Sequence, residues 1–199
     1  MSPIRSRGCV VADATWLVGG GLALLYFRSR GLVGSSVEAG DLLHATRSEL
    51  ESAAMKAALR QGADATVFLS IIDTENKGWN SQAVNMGPGD KARGGAYGLP
   101  QITERTALAV DDRIRTPWAE LCREAGYNER KPWVLLSHPE VCLELGAAYV
   151  AECTRAGETV EDVAARYNSG RNVWNAPTVT LFEYVPRFMR NYKRRKGES

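Results

Sequence analysis

Apolar residues recur at helical spacing from Asp41 onward. Leucines and alanines fall mostly on one helix face between Asp41 and Gly62, so a first helix is predicted to begin at Asp41 and to end at Gly62. Asp64 has the short acceptor side chain that caps a helix N-terminus. The apolar stripe after it predicts a second, largely buried helix that ends near Glu75.

Five more helices are predicted beyond residue 100. The first covers about 102–114, and the last covers about 178–195. The three between them start at Thr116-Pro117, at Pro139 and at Thr159. The residues between 76 and 100 are rich in glycine and proline, which predicts a long functional loop with room for a short hairpin. The pattern as a whole predicts a mainly α domain with a long glycine-rich loop.

The N-terminal part of the chain has a different pattern. Residues 9–27 are mostly apolar and are flanked by arginines on both sides. This run is just long enough to cross a bilayer core of about 30 Å, and the flanking charge favours an uncleaved segment over a cleaved signal peptide. We expect residues 1–30 to form a hydrophobic helix that is a membrane anchor or an uncleaved signal; the alternative is a buried helix packed on a partner. Residues 31–40 have the composition of a linker, and residues 41–199 are expected to form the globular domain.

Composition narrows the class of protein. Of the 199 residues, 44% are hydrophobic and 24% are charged, as in ordinary soluble domains. The net charge of +2 excludes a polyelectrolyte binder, and nucleic acid is not an expected partner, although basic residues cluster over residues 187–196. The four cysteines form no CxxC pair and no cluster with the two histidines, so we predict neither a metal site nor a cofactor.

Glu75 is the strongest candidate for a chemical role. The exposed carbonyls at a helix C-terminus carry partial negative charge, which disfavours a carboxylate, and an apolar wall does the same. Both effects favour the protonated acid that a general acid needs. A shielded carboxylic acid beside a loop of amides and aromatics is suited to the cleavage of a glycosidic bond.

Several segments carry a resemblance to a known family. The chain resembles the soluble lytic transglycosylases, which are similar in fold to goose-type lysozyme. The resemblance rests on an ordered set of motifs: Ile71 to Glu75 with Trp79-Asn80 and Ala83-Val84-Asn85, Gly95-Ala96-Tyr97-Gly98-Leu99-Pro100-Gln101-Ile102 with Thr106-Ala107, Gly146 with Tyr149, Ala165-Arg166-Tyr167-Asn168-Ser169-Gly170, and Glu183-Tyr184-Val185. Asn76 replaces the usual serine and Pro100 the usual methionine.

The resemblance implies a lysozyme-like helical domain that cleaves peptidoglycan. Glu75 would protonate the oxygen of a β-1,4 MurNAc–GlcNAc bond and then accept a proton from the sugar's own 6-hydroxyl, which closes a 1,6-anhydro ring. Because the substrate's N-acetyl group can stabilise the cationic carbon, one protein carboxylate is sufficient. The resemblance also implies substrate-binding residues, which are Gln101, Tyr97, Trp79, Tyr167, Asn168, Tyr184 and Asn76.

Two alternatives stay open. A goose-type lysozyme-like hydrolase would need a second carboxylate to orient water, for which Asp90 is the candidate. A structural or wall-binding component could keep the fold without turnover. An anchored wall-cutting enzyme suits local opening of the cell wall by a phage or an envelope-spanning machine. It would then be membrane-associated and act in the periplasm or cell-wall space, or from a virion membrane.

Overall fold

The computed structural model describes residues 41–87, 94–157 and 159–198. These residues form a mainly helical domain, as the pattern of apolar positions predicts. Its α-helices are α1 (Arg47–Gln61), α2 (Ala65–Glu75), α3 (Glu104–Ile114), α4 (Trp118–Glu124), α5 (Pro139–Ala156), α6 (Val160–Ser169) and α7 (Val185–Lys196). Short 3-10 helices cover Asp41–Leu43, Pro132–Ser137 and Val173–Asn175.

Side-chain caps mark the starts of several helices. Asp64 accepts a hydrogen bond from the Val67 amide at 2.9 Å, and this confirms the predicted start of α2. Thr159 caps α6 in the same way through the Asp162 amide. The predicted start of the first helix at Asp41 is wrong, because a capping box between Thr46 and Glu49 starts α1 at Arg47.

The loop between α2 and α3 contains a small antiparallel sheet. Its strands are β1 (Val84–Asn85), β2 (Ala96–Tyr97) and β3 (Ile102–Thr103), in that spatial order. Val84 pairs with Tyr97, and Tyr97 pairs with Ile102 on its other side. Strands β1 and β2 therefore pair within the range predicted as a loop. Residues 88–93, with Asp90, lie outside the described residues.

Helix α5 is the centre of the hydrophobic core. Leu143, Ala147 and Val150 belong to one buried cluster, formed mainly with α1, α2, α6 and α7. Cys142 and Leu145 belong to a second cluster, formed mainly with α3, α4 and the Pro132–Ser137 turn. Because both faces of α5 are covered, the helix is apolar on nearly all sides. The cysteines of the described part, Cys122, Cys142 and Cys153, are buried free thiols.

The final helix begins with a π-helical turn. The turn covers Thr180–Tyr184 and continues directly into α7, where the sequence predicts a single helix over about 178–195. π-Helical turns are uncommon and are often found at functional sites. This one ends at Tyr184, a residue with a predicted binding role.

A buried carboxylate fixes α7 to α2. The side chain of Asp73 is only 5% exposed and accepts hydrogen bonds from Arg195 Nε at 2.6 Å and Arg194 Nη2 at 3.1 Å. Arg47 of α1 and the indole of Trp79 bind its other oxygen at 3.2 and 2.9 Å. We call this set, Asp73 with Arg47, Trp79, Arg194 and Arg195, the Asp73 cluster.

Charge balance makes the Asp73 cluster stable. Burial alone would raise the pKa of Asp73, but hydrogen bonds from Arg195 and Trp79 and the charges of Arg195 and Arg194 outweigh it, and the pKa is lowered. On the next residue of α2, the Thr74 hydroxyl accepts a hydrogen bond from Asn191 of α7 at 2.9 Å. Two successive residues of α2 are therefore bound to the last helix.

The C-terminal basic cluster is not a single solvated patch. Arg194 and Arg195 bind Asp73, and Lys196 pairs with Glu198 at 2.7 Å. Part of the local positive charge is therefore used in ion pairs within the domain and is not available to an external anion.

The N-terminal predictions lie outside the described residues. They concern the hydrophobic segment over residues 1–30 and the linker over residues 31–40. Among the residues that the structure does describe, no helix combines the length and the apolarity that a membrane crossing requires.

We predict that Arg195 and Arg194 differ in their contribution to stability. The Arg195 side chain is 16% exposed and the Arg194 side chain 64% exposed, although both bind Asp73. Arg195→Gln should lower the free energy of unfolding by about 2–3 kcal/mol, because it breaks a buried pair. Arg194→Gln, the matched control, should cost less than about 1 kcal/mol. Equal losses in urea denaturation would contradict this account of the Asp73 cluster.

Candidate active site

Glu75 lies at the end of α2 and lines a groove of about 460 Å³. The groove is bounded by the sheet, the start of α3, the end of α6 and the start of α7. Its lining residues are Glu75, Asn85, Ala96, Gln101, Ile102, Thr103, Arg105, Thr106, Tyr149, Tyr167, Asn168, Ser169, Gly170, Tyr184 and Arg187. Of these described residues, Glu75 is the only one with a carboxylate.

Buried tyrosines surround Glu75. Tyr184 is buried, and burial, followed by the nearby charge of Glu75, raises its pKa well above the ordinary value. An interaction between the Tyr184 hydroxyl and Glu75 contributes to the same shift. The hydroxyl makes no hydrogen bond of standard length and angle within the described part of the chain, although Glu75 is near enough to raise its pKa. Tyr184 is therefore placed to act on the acid.

Tyr167 has a different function in the same wall. Its hydroxyl donates a hydrogen bond to the Pro100 carbonyl at 2.6 Å, and its ring packs on Tyr149 with centroids 5.2 Å apart. Burial and the charge of Glu75 raise its pKa well above the usual range. Tyr167 is thus both a groove residue and the link between α6 and the glycine-rich loop.

Gln101 is held by the loop through one end of its amide. Its Nε2 donates to the Gly98 carbonyl at 2.7 Å and to the Ala83 carbonyl at 3.2 Å. Its backbone adopts a φ of 49°, an uncommon conformation for a residue with a side chain that is found at functional sites. No described residue donates to its Oε1. Because Gln101 lines the groove, this oxygen is available to a ligand N–H or O–H group.

Asn168 is held through its amide oxygen, whereas Gln101 is held through its amide nitrogen. Its Oδ1 accepts a hydrogen bond from the Thr180 hydroxyl at 2.7 Å, which joins the end of α6 to the π-helical turn. Its Nδ2 donates to none of the described residues. Gln101 and Asn168 therefore provide an acceptor and a donor along one groove.

Three predicted binding residues do not line the groove. Trp79 is buried in the Asp73 cluster, with Arg47 and Arg195 at 5.3 and 5.7 Å from its ring. Tyr97 is buried in β2 and donates to the Gly94 carbonyl at 2.8 Å. Asn76 donates to the Asn80 carbonyl at 2.7 Å and accepts from the Asn80 amide. Their substrate contacts stay predictions, and in this structure their side chains stabilise the loop.

Gly98 shows how closely the loop packs. Its φ is 68°, and a Cβ at this position would lie 2.5 Å from Cys142 Sγ. Its amide donates to the Ala83 carbonyl at 2.8 Å. Only glycine fits this left-handed, crowded position, and the position sets the path of the chain toward Gln101.

Sequence reasoning missed Arg187, Arg105 and Thr180. Arg187 lines the groove, but its sequence context places it among the basic residues of the last helix. Thr180 positions Asn168 through a π-helical turn that apolar spacing does not reveal. Arg105 follows a helix start, where an exposed arginine is unremarkable in a sequence.

The site offers acid chemistry. Within the described ranges, no group of three or more His, Cys, Asp or Glu side chains is placed to hold a metal ion. The described lining residues present one carboxyl group, two buried tyrosines and three amides, an arrangement able to protonate and orient a polar polymer.

Comparison with known families identifies the domain. A model of the transglycosylase SLT domain matches residues 52–177, more than half of the chain. The chain belongs to this family. The family implies cleavage of glycosidic bonds in peptidoglycan, and the matched residues include Glu75, Gln101 and Asn168. Tyr184 and Arg187 follow the matched range, and the structure places both in the groove. No curated protein matches the chain.

We predict that removal of the Tyr167 hydroxyl lowers the stability of this transglycosylase domain, whereas removal of the Tyr184 hydroxyl lowers its activity. Tyr167→Phe should lower the free energy of unfolding by about 1–2 kcal/mol, because it removes the donor to a buried carbonyl. Tyr184→Phe should leave stability within about 0.5 kcal/mol, because its hydroxyl has no standard hydrogen bond in the described structure. It should nevertheless slow peptidoglycan cleavage by about tenfold through the lost contact with Glu75. Thermal unfolding and wall-clearing assays test the pair, and equal stability losses would contradict it.

Proposed function

We propose that the protein is a lytic transglycosylase that cleaves the β-1,4 bond between MurNAc and GlcNAc. The single observation that carries the proposal is Glu75, the one carboxyl group among the described groove residues, at a helix C-terminus and against buried tyrosines. A described lining with one acid and no second carboxylate suits a reaction in which the substrate supplies its own nucleophile.

The proposed reaction uses Glu75 twice. The acid donates its proton to the bridging oxygen as the bond from this oxygen to the MurNAc C1 breaks, and the GlcNAc hydroxyl leaves. The MurNAc N-acetyl group stabilises the positive charge on C1. The 6-hydroxyl oxygen then bonds to C1 while its proton passes to Glu75. The acid is restored, no water is consumed, and the product carries a 1,6-anhydro ring.

The other groove residues orient the strand in this proposal. Gln101 Oε1 accepts a hydrogen bond from an acetamido N–H or a sugar hydroxyl, and Asn168 Nδ2 donates to a sugar oxygen. Tyr184 directs its hydroxyl to Glu75 and limits the movement of the carboxylate between the two proton transfers. Tyr167 holds the Pro100 carbonyl and so keeps Gln101 beside the acid.

Replacing the acid tests the assignment of Glu75. Glu75→Gln should keep the fold and lose at least about a hundredfold in rate, the usual scale for one general acid. Glu183→Gln is a matched control, since Glu183 is exposed and does not line the groove. Near-normal wall clearing by Glu75→Gln would show that another group is the acid.

The products distinguish the transglycosylase from a hydrolase. Mass spectrometry of digested peptidoglycan should find 1,6-anhydroMurNAc ends, and Asp90→Asn should stay active. Reducing MurNAc ends together with an inactive Asp90→Asn would establish the hydrolase instead. Binding of the wall without any cleavage by the intact protein would establish the structural alternative.

We further propose that residues 9–27 hold the enzyme at a membrane, so that it acts locally on the wall from the periplasmic or virion side. The support is the apolar run with its flanking arginines, and the hydrophobic core that the described residues from 41 onward form. Deleting residues 1–36 should release a folded, active domain into the soluble fraction. A full-length chain that stays soluble without detergent would contradict the anchor, and a truncated chain that fails to fold would contradict the boundary.

A further inference from the structure

Arg187 is a charged groove residue that forms no ion pair with any residue the structure describes. It follows Tyr184 by three residues at the start of α7 and lines the same groove as Glu75. Its guanidinium carbon lies 5.7 Å from the centre of the Tyr184 ring. Its Nε is buried, yet no described residue accepts a hydrogen bond from it. A buried donor left unpaired costs about 1–3 kcal/mol, and more when it is charged.

Two other arginines of the domain with little exposure, Arg195 and Arg130, are used differently. Arg195 binds Asp73 and Glu51, Arg130 binds Asp111 and Asp112, and each reaches its carboxylates at 3.1 Å or less. Buried polar groups are paired in the great majority of native structures. Arg187 and Arg166 each have a buried Nε that no described residue pairs. Of the two, Arg187 lines the groove, so a ligand group is the natural partner for it.

The groove around Arg187 favours an anion. Arg105 of α3 also lines it and, within the described residues, pairs with no carboxylate. Two guanidinium groups therefore face a groove in which Glu75 is the only described acid. With Glu75 protonated for its first step, every formal charge on the described lining residues is positive. The positive potential of the two guanidinium groups attracts a carboxylate, whereas it has little effect on neutral sugar hydroxyls.

We propose that Arg187 is a specificity-determining residue that binds a carboxylate carried by the glycan strand. The inference rests on the proposed function, since it concerns the substrate of the same groove. Two sources on peptidoglycan have this chemistry: the lactyl carboxylate of MurNAc where no peptide is attached, and the free carboxylates of the stem peptide. The planar guanidinium can bind either in a two-point contact that lysine cannot reproduce.

Binding measurements on the full-length protein in the Glu75→Gln background test the proposal without turnover. The ligands are peptide-bearing glycan fragments, the same fragments stripped of peptide by an amidase, and a neutral chito-oligosaccharide of equal length. Arg187→Gln should weaken binding of at least one anionic ligand by about tenfold or more and change binding of the neutral ligand by less than about twofold. Arg187→Lys should lie between Arg187→Gln and the parent, because it keeps the charge and loses the fork.

Arg190→Gln is the matched control. Arg190 stands three residues further along α7, is exposed, and does not line the groove, so it changes the net charge equally. It should leave all three affinities within about twofold, since an exposed charge outside the groove is screened. A loss restricted to peptide-stripped fragments identifies the lactyl carboxylate, and a loss restricted to peptide-bearing fragments identifies the stem.

Three results would overturn the proposal. An equal loss for the neutral and anionic ligands would make Arg187 a support of the groove. Unchanged affinity for both anionic ligands would leave it without the proposed role, and equal effects of Arg187→Gln and Arg190→Gln would indicate general charge attraction. Failure of the proposed function itself looks different, because the natural chain would then release no 1,6-anhydroMurNAc ends from peptidoglycan, whatever the affinities of the Arg187 variants.

Discussion

The buried carboxylate of Asp73 is the interaction on which the arrangement of the active site depends. It stands two residues before Glu75 on α2, so the two side chains point to opposite sides of the helix. One side is fixed by arginines from the first and last helices, and the other presents the acid to the groove. A carboxylate buried in this way is stable only while its partners stay in place, which couples the position of α7 to that of the acid.

This coupling explains how distant parts of the chain form one groove. Near its end, helix α7 carries Arg194 and Arg195, which bind Asp73. The first turn of α7 comes directly after Tyr184 and carries Arg187. The glycine-rich loop is joined to α6 by Tyr167, and α6 is joined to the π-helical turn by Asn168 and Thr180. In each of these contacts, a polar atom of a groove residue binds another part of the protein and so stabilises the fold. The opposite ends of Gln101 and Asn168 are left for a ligand.

Much of the fold could be predicted because local signals determine it. Asp64 and Thr159 cap helices as their side chains suggest, and Gly62 ends α1 in a left-handed conformation. The start at Asp41 failed because apolar spacing continues across the Thr46 capping box. The candidate acid could be predicted because its helix end and its glycine-rich loop are adjacent in sequence.

The remaining site residues depend on tertiary contacts that no local pattern contains. Trp79 has the composition of a sugar-stacking residue, but two arginines from distant helices and Asp73 bury it on the other side of α2. Arg187 and Arg195 look alike in the sequence, yet one lines the groove and the other binds a buried carboxylate. Only the direction of α7, set by the Asp73 cluster, separates them.

A crystal structure of Glu75→Gln with a bound peptidoglycan tetrasaccharide would test the central claim most directly, namely that this groove places one acid on the glycosidic bond. The account predicts the bridging oxygen within hydrogen-bond reach of residue 75, at about 2.6–3.2 Å, and an acetamido N–H on Gln101 Oε1. A strand bound on another face of the domain, or a bridging oxygen beyond the reach of residue 75, would contradict it.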